Sequence, residues 1–131
     1  MTSADVPLNP AAGGDSRSED QLATSLRSDA LVSKGLVRWH FTFAIAFMLT
    51  SMTAGFLVSL NFLGAYPFEG IEWLAVGRLR FLHTNEIAYG FLVNAFIGGM
   101  YYAIPRLTGR PVFSVGLGWL VLGIWQTLIV A

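Results

Sequence analysis

In a mostly apolar sequence, the residues whose type and spacing could do chemistry are few: His83, Arg78, Arg80, Glu86, Asn94 and His40. His83 lies inside a long apolar stretch. An ionisable group at that depth in lipid is costly and ordinarily faces a protein interior or a cavity. Laid on a helix at about 100° per residue, His83, Ile87, Gly90, Asn94, Ile97 and Tyr101 fall within about 40° of one line. Gly90 leaves open space on that face two turns from the imidazole, and Asn94 and Tyr101 add an amide and a phenol below it. Two readings follow. A flat apolar cofactor stands in the gap, or His83 bonds a neighbouring helix and Gly90 is a close-packing position. Arg78 and Arg80 precede His83 by about one turn, on the side nearer water. A haem presents iron to an imidazole and anionic propionates to guanidinium groups, which bind carboxylates through charge-assisted, often bidentate bonds. The set fits a haem standing on edge with its propionates outward. The plain alternative for the arginines is snorkelling at a span end.

Glu86, one turn beyond His83, falls about 60° off that line. An intramembrane carboxylate is a functional hypothesis by default, but spacing assigns it no role. His40 follows Arg38 and Trp39 and is read as an interfacial side chain with its polar tip among headgroups. Motifs of other chemistries are absent from the sequence: no GxSxG, no HExxH, no phosphate-binding glycine loop and no paired carboxylates in a span. Gly98-Gly99 and Gly116-Leu117-Gly118 read as packing positions. The chain has no Cys, which excludes disulfides, thiolate metal sites and cysteine nucleophiles.

The elements that must position these groups are membrane-spanning. Of 131 residues, 54% are hydrophobic and 12% charged, against about 25% charged in an average soluble domain. No Asp, Glu, Lys or Arg occurs from Trp39 to Phe68 or from Pro111 to Ala131, and only Glu86 from Phe81 to Pro105. A small soluble domain leaves too much surface wet to hide such runs, and a nucleic-acid partner would need a basic stripe; both are excluded. The expected fold is all-α transmembrane: three spanning helices of a larger bundle, the third truncated, preceded by a disordered polar tail. The tail is residues 1–33, rich in Ser, Asp, Gly and Ala, with too little apolar surface to offset its ordering entropy. The remainder, 34–131, carries spans at about 36–62, 76–104 and 113–131, each judged against the roughly 20 apolar residues that cross a bilayer. The second span is expected to stop near Pro105. Within the first, Ser51, Gly55 and Ser59 form a small-residue stripe that lets another helix approach. Lys34, Arg38, Arg106 and Arg110 place the N-terminus and the PRLTGRP loop in the cytoplasm. Arg78 and Arg80 then lie on the external side against that rule, which points to a task other than topology.

The segment from Gly77 to Phe113, GRLRFLHTNEIAYGFLVNAFIGGMYYAIPRLTGRPVF, resembles the second transmembrane helix of subunit I of the C-family, cbb-type cytochrome c oxidases, which are haem-copper oxygen reductases. The residues that carry the resemblance are Gly77, Arg78, Leu79, Arg80, Leu82, His83, Thr84 and Asn85, then Asn94, Tyr101 and Tyr102, with Glu72-Trp73-Leu74 before them. It extends over about residues 36–131. Phe81 stands where the family has Pro, Leu92 and Val93 where Gly is common, and Glu86 where a small apolar residue is usual. The resemblance implies that His83 is an axial ligand of low-spin haem b, with Arg80 and Arg78 near the propionates and Asn94 among the cofactor-binding residues. It implies a high-spin haem and copper held by later spans, because His40 is the other histidine here and the remaining ligands are missing. The implied partners are membrane lipid, the remaining spans of subunit I and c-type cytochrome subunits. The implied activity is electron transfer from cytochrome c toward proton-pumping oxygen reduction in a bacterial inner membrane. Nitric oxide reductases share a similar Leu-His segment and are the nearest competing chemistry. A non-enzymatic membrane scaffold or assembly protein is the other alternative.

Overall fold

In the computed structural model of the chain, residues 12–130 are described, with side chains from residue 17 onward. Four helices follow one another. α1 is Ala12–Ala30 and α2 is Lys34–Phe62. α3 is Val76–Thr108, with a run of wider, π-type turns at Glu86–Val93. α4 is Val115–Val130. The described residues contain no strand. α2 and α3 are long and apolar enough to cross a membrane, whereas α4 is an apolar helix of 16 residues. At 1.5 Å per residue α4 covers about 24 Å, short of the roughly 30 Å of hydrocarbon. The described residues thus form a helical fold consistent with a membrane protein, with two helices of spanning length.

Two expectations about boundaries change. The tail expected to be disordered falls partly outside the described residues, at 1–11. From Ala12 to Ala30 it is a helix. No proline interrupts this stretch, and the hydroxyls of Thr24, Ser25 and Ser28 bond back to carbonyls of the preceding turn. Leu22 and Leu26 stay exposed, so α1 buries little apolar surface. Its end is tied to the bundle by an ion pair of Asp29 with Arg106. The second correction concerns α3, which does not stop at 104 but runs through Pro105 to Thr108. Pro105 sits in the last turns, where it removes a single ladder bond, and its ring is fully buried. The stop comes from Gly109, whose φ of 65° lies in the left-handed region that glycine adopts without a Cβ penalty.

α2 and α3 run antiparallel, joined by a loop that turns at Gly64 and Gly70, both with positive φ. Tyr66 packs there with Ala54 and Leu79 and donates its hydroxyl to the Leu74 carbonyl. α4 lies against the same pair, with Gln126 and Trp125 bonded to α3. Polar side chains share the interior with apolar ones such as Leu36 and Leu122, and large apolar side chains cover the outside. The most buried side chains include His40, Asn94 and Ser51, while Phe56, Phe96 and Leu107 face outward. Lipid tails supply no hydrophobic force between helices, so small residues and polar contacts take over the contacts.

Candidate functional site

His83 is half-buried on α3 and faces α2 at two of the small residues read from the sequence. Its Nδ1 lies 2.7 Å from the Ser51 carbonyl oxygen, which can only accept, so Nδ1 carries the proton. The Ser51 hydroxyl in turn donates to the His83 carbonyl at 2.8 Å. Ser51 is completely buried in this reciprocal contact. A Cβ on Gly55 would stand 2.8 Å from the imidazole, so the ring rests where only glycine leaves room. Ser59, the third small residue, is exposed and takes no part. The consequence for chemistry is a fixed tautomer. Nε2 keeps its lone pair and has no hydrogen-bond partner among the described residues. A metal-ligating histidine has this arrangement, with the other ring nitrogen held by a carbonyl.

The gap expected at Gly90 is closed. A Cβ there would come within 2.6 Å of Phe47, whose ring fills the space. At this position the close-packing reading holds, and the expected cleft below His83 is absent because α2 approaches too near. The donor chemistry of His83 fits an axial haem ligand, whereas a cavity at Gly90 does not exist to receive the ring.

Asn94 lies eleven residues beyond His83, about 16 Å along the helix, and the structure does not bring the two together. Asn94 is fully buried. Its Nδ2 donates to the Gly90 carbonyl at 2.7 Å, which sets the amide's orientation. Its Oδ1 then accepts from Gln126 Nε2 at 2.7 Å and from His40 Nδ1 at 3.1 Å. His40 is therefore not interfacial. It is fully buried and stacked on Tyr101 with ring centroids 5.6 Å apart, and its Nε2 has no partner. Gln126 was missed by motif reasoning. Its signal was present, a lone amide in an otherwise apolar run. Glu86 opens the π-type turns, is 9% exposed, and leaves Oε2 without a partner.

The arginines differ from each other. Arg78 pairs with Glu72 at 2.9 Å and lies over the Trp73 ring at 5.9 Å, a contact mostly exposed to solvent. Arg80 is exposed and has no partner among the described residues. Both sit on the turns of α3 that precede His83. Among the described residues no cluster of three or more His, Cys, Asp or Glu could hold a metal ion.

Comparison with known proteins adds a family. The chain is 30% identical over 107 residues to cytochrome c oxidase subunit 1 of Rhodobacter capsulatus, covering 78% of this chain and 19% of that protein. It is 27% identical over 96 residues to the cbb3-type cytochrome c oxidase subunit CcoN1 of Stutzerimonas stutzeri, covering 72% and 20% respectively. A cytochrome c oxidase subunit 1 homolog of Agrobacterium tumefaciens is 30% identical over 94 residues, covering 71% of this chain and 16% of the relative. No family model matches, and no solved structure does. The apolar helices, the oriented imidazole and these three relatives agree: in sequence the chain is a relative of subunit I of the cytochrome c oxidases, the cbb3 type among them, and it spans about one fifth of that subunit's length.

Proposed function

We propose that this chain supplies the first side of a low-spin haem b site in subunit I of a cbb-type terminal oxidase. The observation that carries the proposal is the bond from His83 Nδ1 to the Ser51 carbonyl, which leaves Nε2 free to bind iron from within a membrane-spanning helix. His83 would hold the haem from this side through Nε2, and a second imidazole would come from another part of the subunit. Arg80, exposed and without an ion pair among the described residues, would hold a propionate on the external side. Arg78 would do so by exchanging its exposed Glu72 partner, a bond worth about 0–1 kcal/mol. A haem held by His83 and a histidine from elsewhere in the subunit would supply one-electron transfer chemistry. Ser51 and Gly55 keep the ring aligned. The amide of Asn94 holds α2, α3 and α4 in register and supports the site from a distance.

On this reading the whole subunit takes electrons from cytochrome c through c-type cytochrome subunits, and reduces oxygen with proton pumping at a high-spin haem and copper carried by its other spans. It lies in the bacterial inner membrane with the N-terminus cytoplasmic, and α4 is the third span. The test is His83→Ala in the intact complex. The low-spin haem b absorption band should disappear while the high-spin haem remains, and an unchanged spectrum would end the assignment.

A further inference from the structure

A second surface of α3 has the features of a lipid site. Between the last three turns of α3 and the loop after it lies a groove of about 380 Å³. Its walls are apolar, from Ile97 past Tyr101 and Pro105 to Phe113, and its polar groups, Thr108 and Arg110, lie at one end. Pocket volumes of this size suit small ligands, but the shape argues for a chain. Ile97 and Thr108 are eleven residues apart, about 16 Å along the helix. That equals one leaflet of a hydrocarbon core roughly 30 Å thick. The mouth also lies at the level where headgroups sit, because α3 ends at Thr108 and the loop begins.

The charge at the mouth is available. Arg106 is occupied, paired with Asp29 and lying over Tyr102. Arg110 is exposed and has no partner among the described residues. A guanidinium beside an apolar groove matches a phosphodiester above an acyl chain. Basic pockets of this kind between membrane helices hold anionic headgroups.

We propose that this groove binds an anionic phospholipid, one acyl chain lying along α3 from Thr108 to Ile97 and the phosphate on Arg110. The site is independent of the haem reading and requires only that α3 cross the membrane. The intact complex, reconstituted in nanodiscs of mixed phosphatidylglycerol and phosphatidylcholine, is extracted gently and its retained lipid measured by native mass spectrometry. Retained phosphatidylglycerol should exceed phosphatidylcholine. Arg110→Gln should lower that preference about fivefold, the effect of one cation near a membrane surface. Met100→Trp, which fills the groove and leaves Arg110 in place, should abolish retention. Haem absorbance serves as the folding check for both variants. Equal retention of the two lipids by the unaltered complex would overturn the proposal, as would unchanged retention in Met100→Trp. Retention of inorganic phosphate without lipid, or a protein segment occupying the groove in the intact complex, would overturn it as well.

Discussion

At the scale of single residues, the contrast between the two histidines is instructive. Each has one protonated ring nitrogen assigned by a partner that can only accept: the Ser51 carbonyl for His83, and an Asn94 oxygen oriented by the Gly90 carbonyl for His40. Each keeps a lone pair on Nε2, but only His40 is sealed on all sides. Its hydrogen bonds therefore serve packing. Asn94→Leu should leave the buried His40 donor without its acceptor, at about 1–3 kcal/mol, and take away the partner of the half-buried Gln126 amide. Thermal unfolding of the solubilised complex checks this, and a loss below the range of a surface substitution would show that the amide does not join the three helices. His83 was legible in sequence as a ligand candidate because histidine is rare inside an apolar span. The burial of His40 was not, because a residue beside Trp39 and Arg38 has the local signature of a headgroup contact.

At the scale of elements, the turns at Glu86–Val93 alter which residues share a face. A constant 100° step puts Glu86 about 60° from the His83 line. The wider π-type turn advances less per residue, so Glu86, Gly90, Asn94 and Gly98, each four apart, all become buried. The same face sets how near α2 comes. Gly90→Ala would place a methyl carbon 2.6 Å from Phe47 and 2.7 Å from that residue's own Cβ, which cannot rotate away. Overpacking of this kind costs about 1–3 kcal/mol. The neighbouring control is Gly99→Ala, where an added Cβ meets nothing within 4 Å; it should stabilise by about 0.5–1 kcal/mol through the helix backbone alone. Equal melting temperatures for the two variants would contradict the α2–α3 contact described here.

At the scale of the whole molecule, α1 is an appendage and α2, α3 and α4 are the bundle. The tie between them, Asp29 with Arg106, is partly exposed on both sides. Such pairs contribute about 0–1 kcal/mol and are screened by salt. Asp29→Ala should therefore leave the thermal stability of the complex nearly unchanged, with any small loss vanishing at high salt. A large loss would mean that α1 is part of the bundle's core. The outward side chains Phe56, Phe96 and Leu107 are a separate matter. An apolar exterior of this extent needs lipid or further protein around it, which agrees with relatives about five times as long as the matched segment.

The sequence by itself determined the class of environment, the two long apolar helices, the loop glycines and the singular position of His83, because charge-free length, turn chemistry and the rarity of an intramembrane imidazole are local properties. It also marked Ser51 and Gly55 as places of close approach. Only the tertiary structure decided that Phe47 fills the space at Gly90, that His40 and Gln126 meet on Asn94, and that Glu86 turns inward. These depend on the separation of helices and on a local change of helical pitch. Both are fixed by contacts between residues distant in the chain, to which a periodicity assuming one uniform helix is blind.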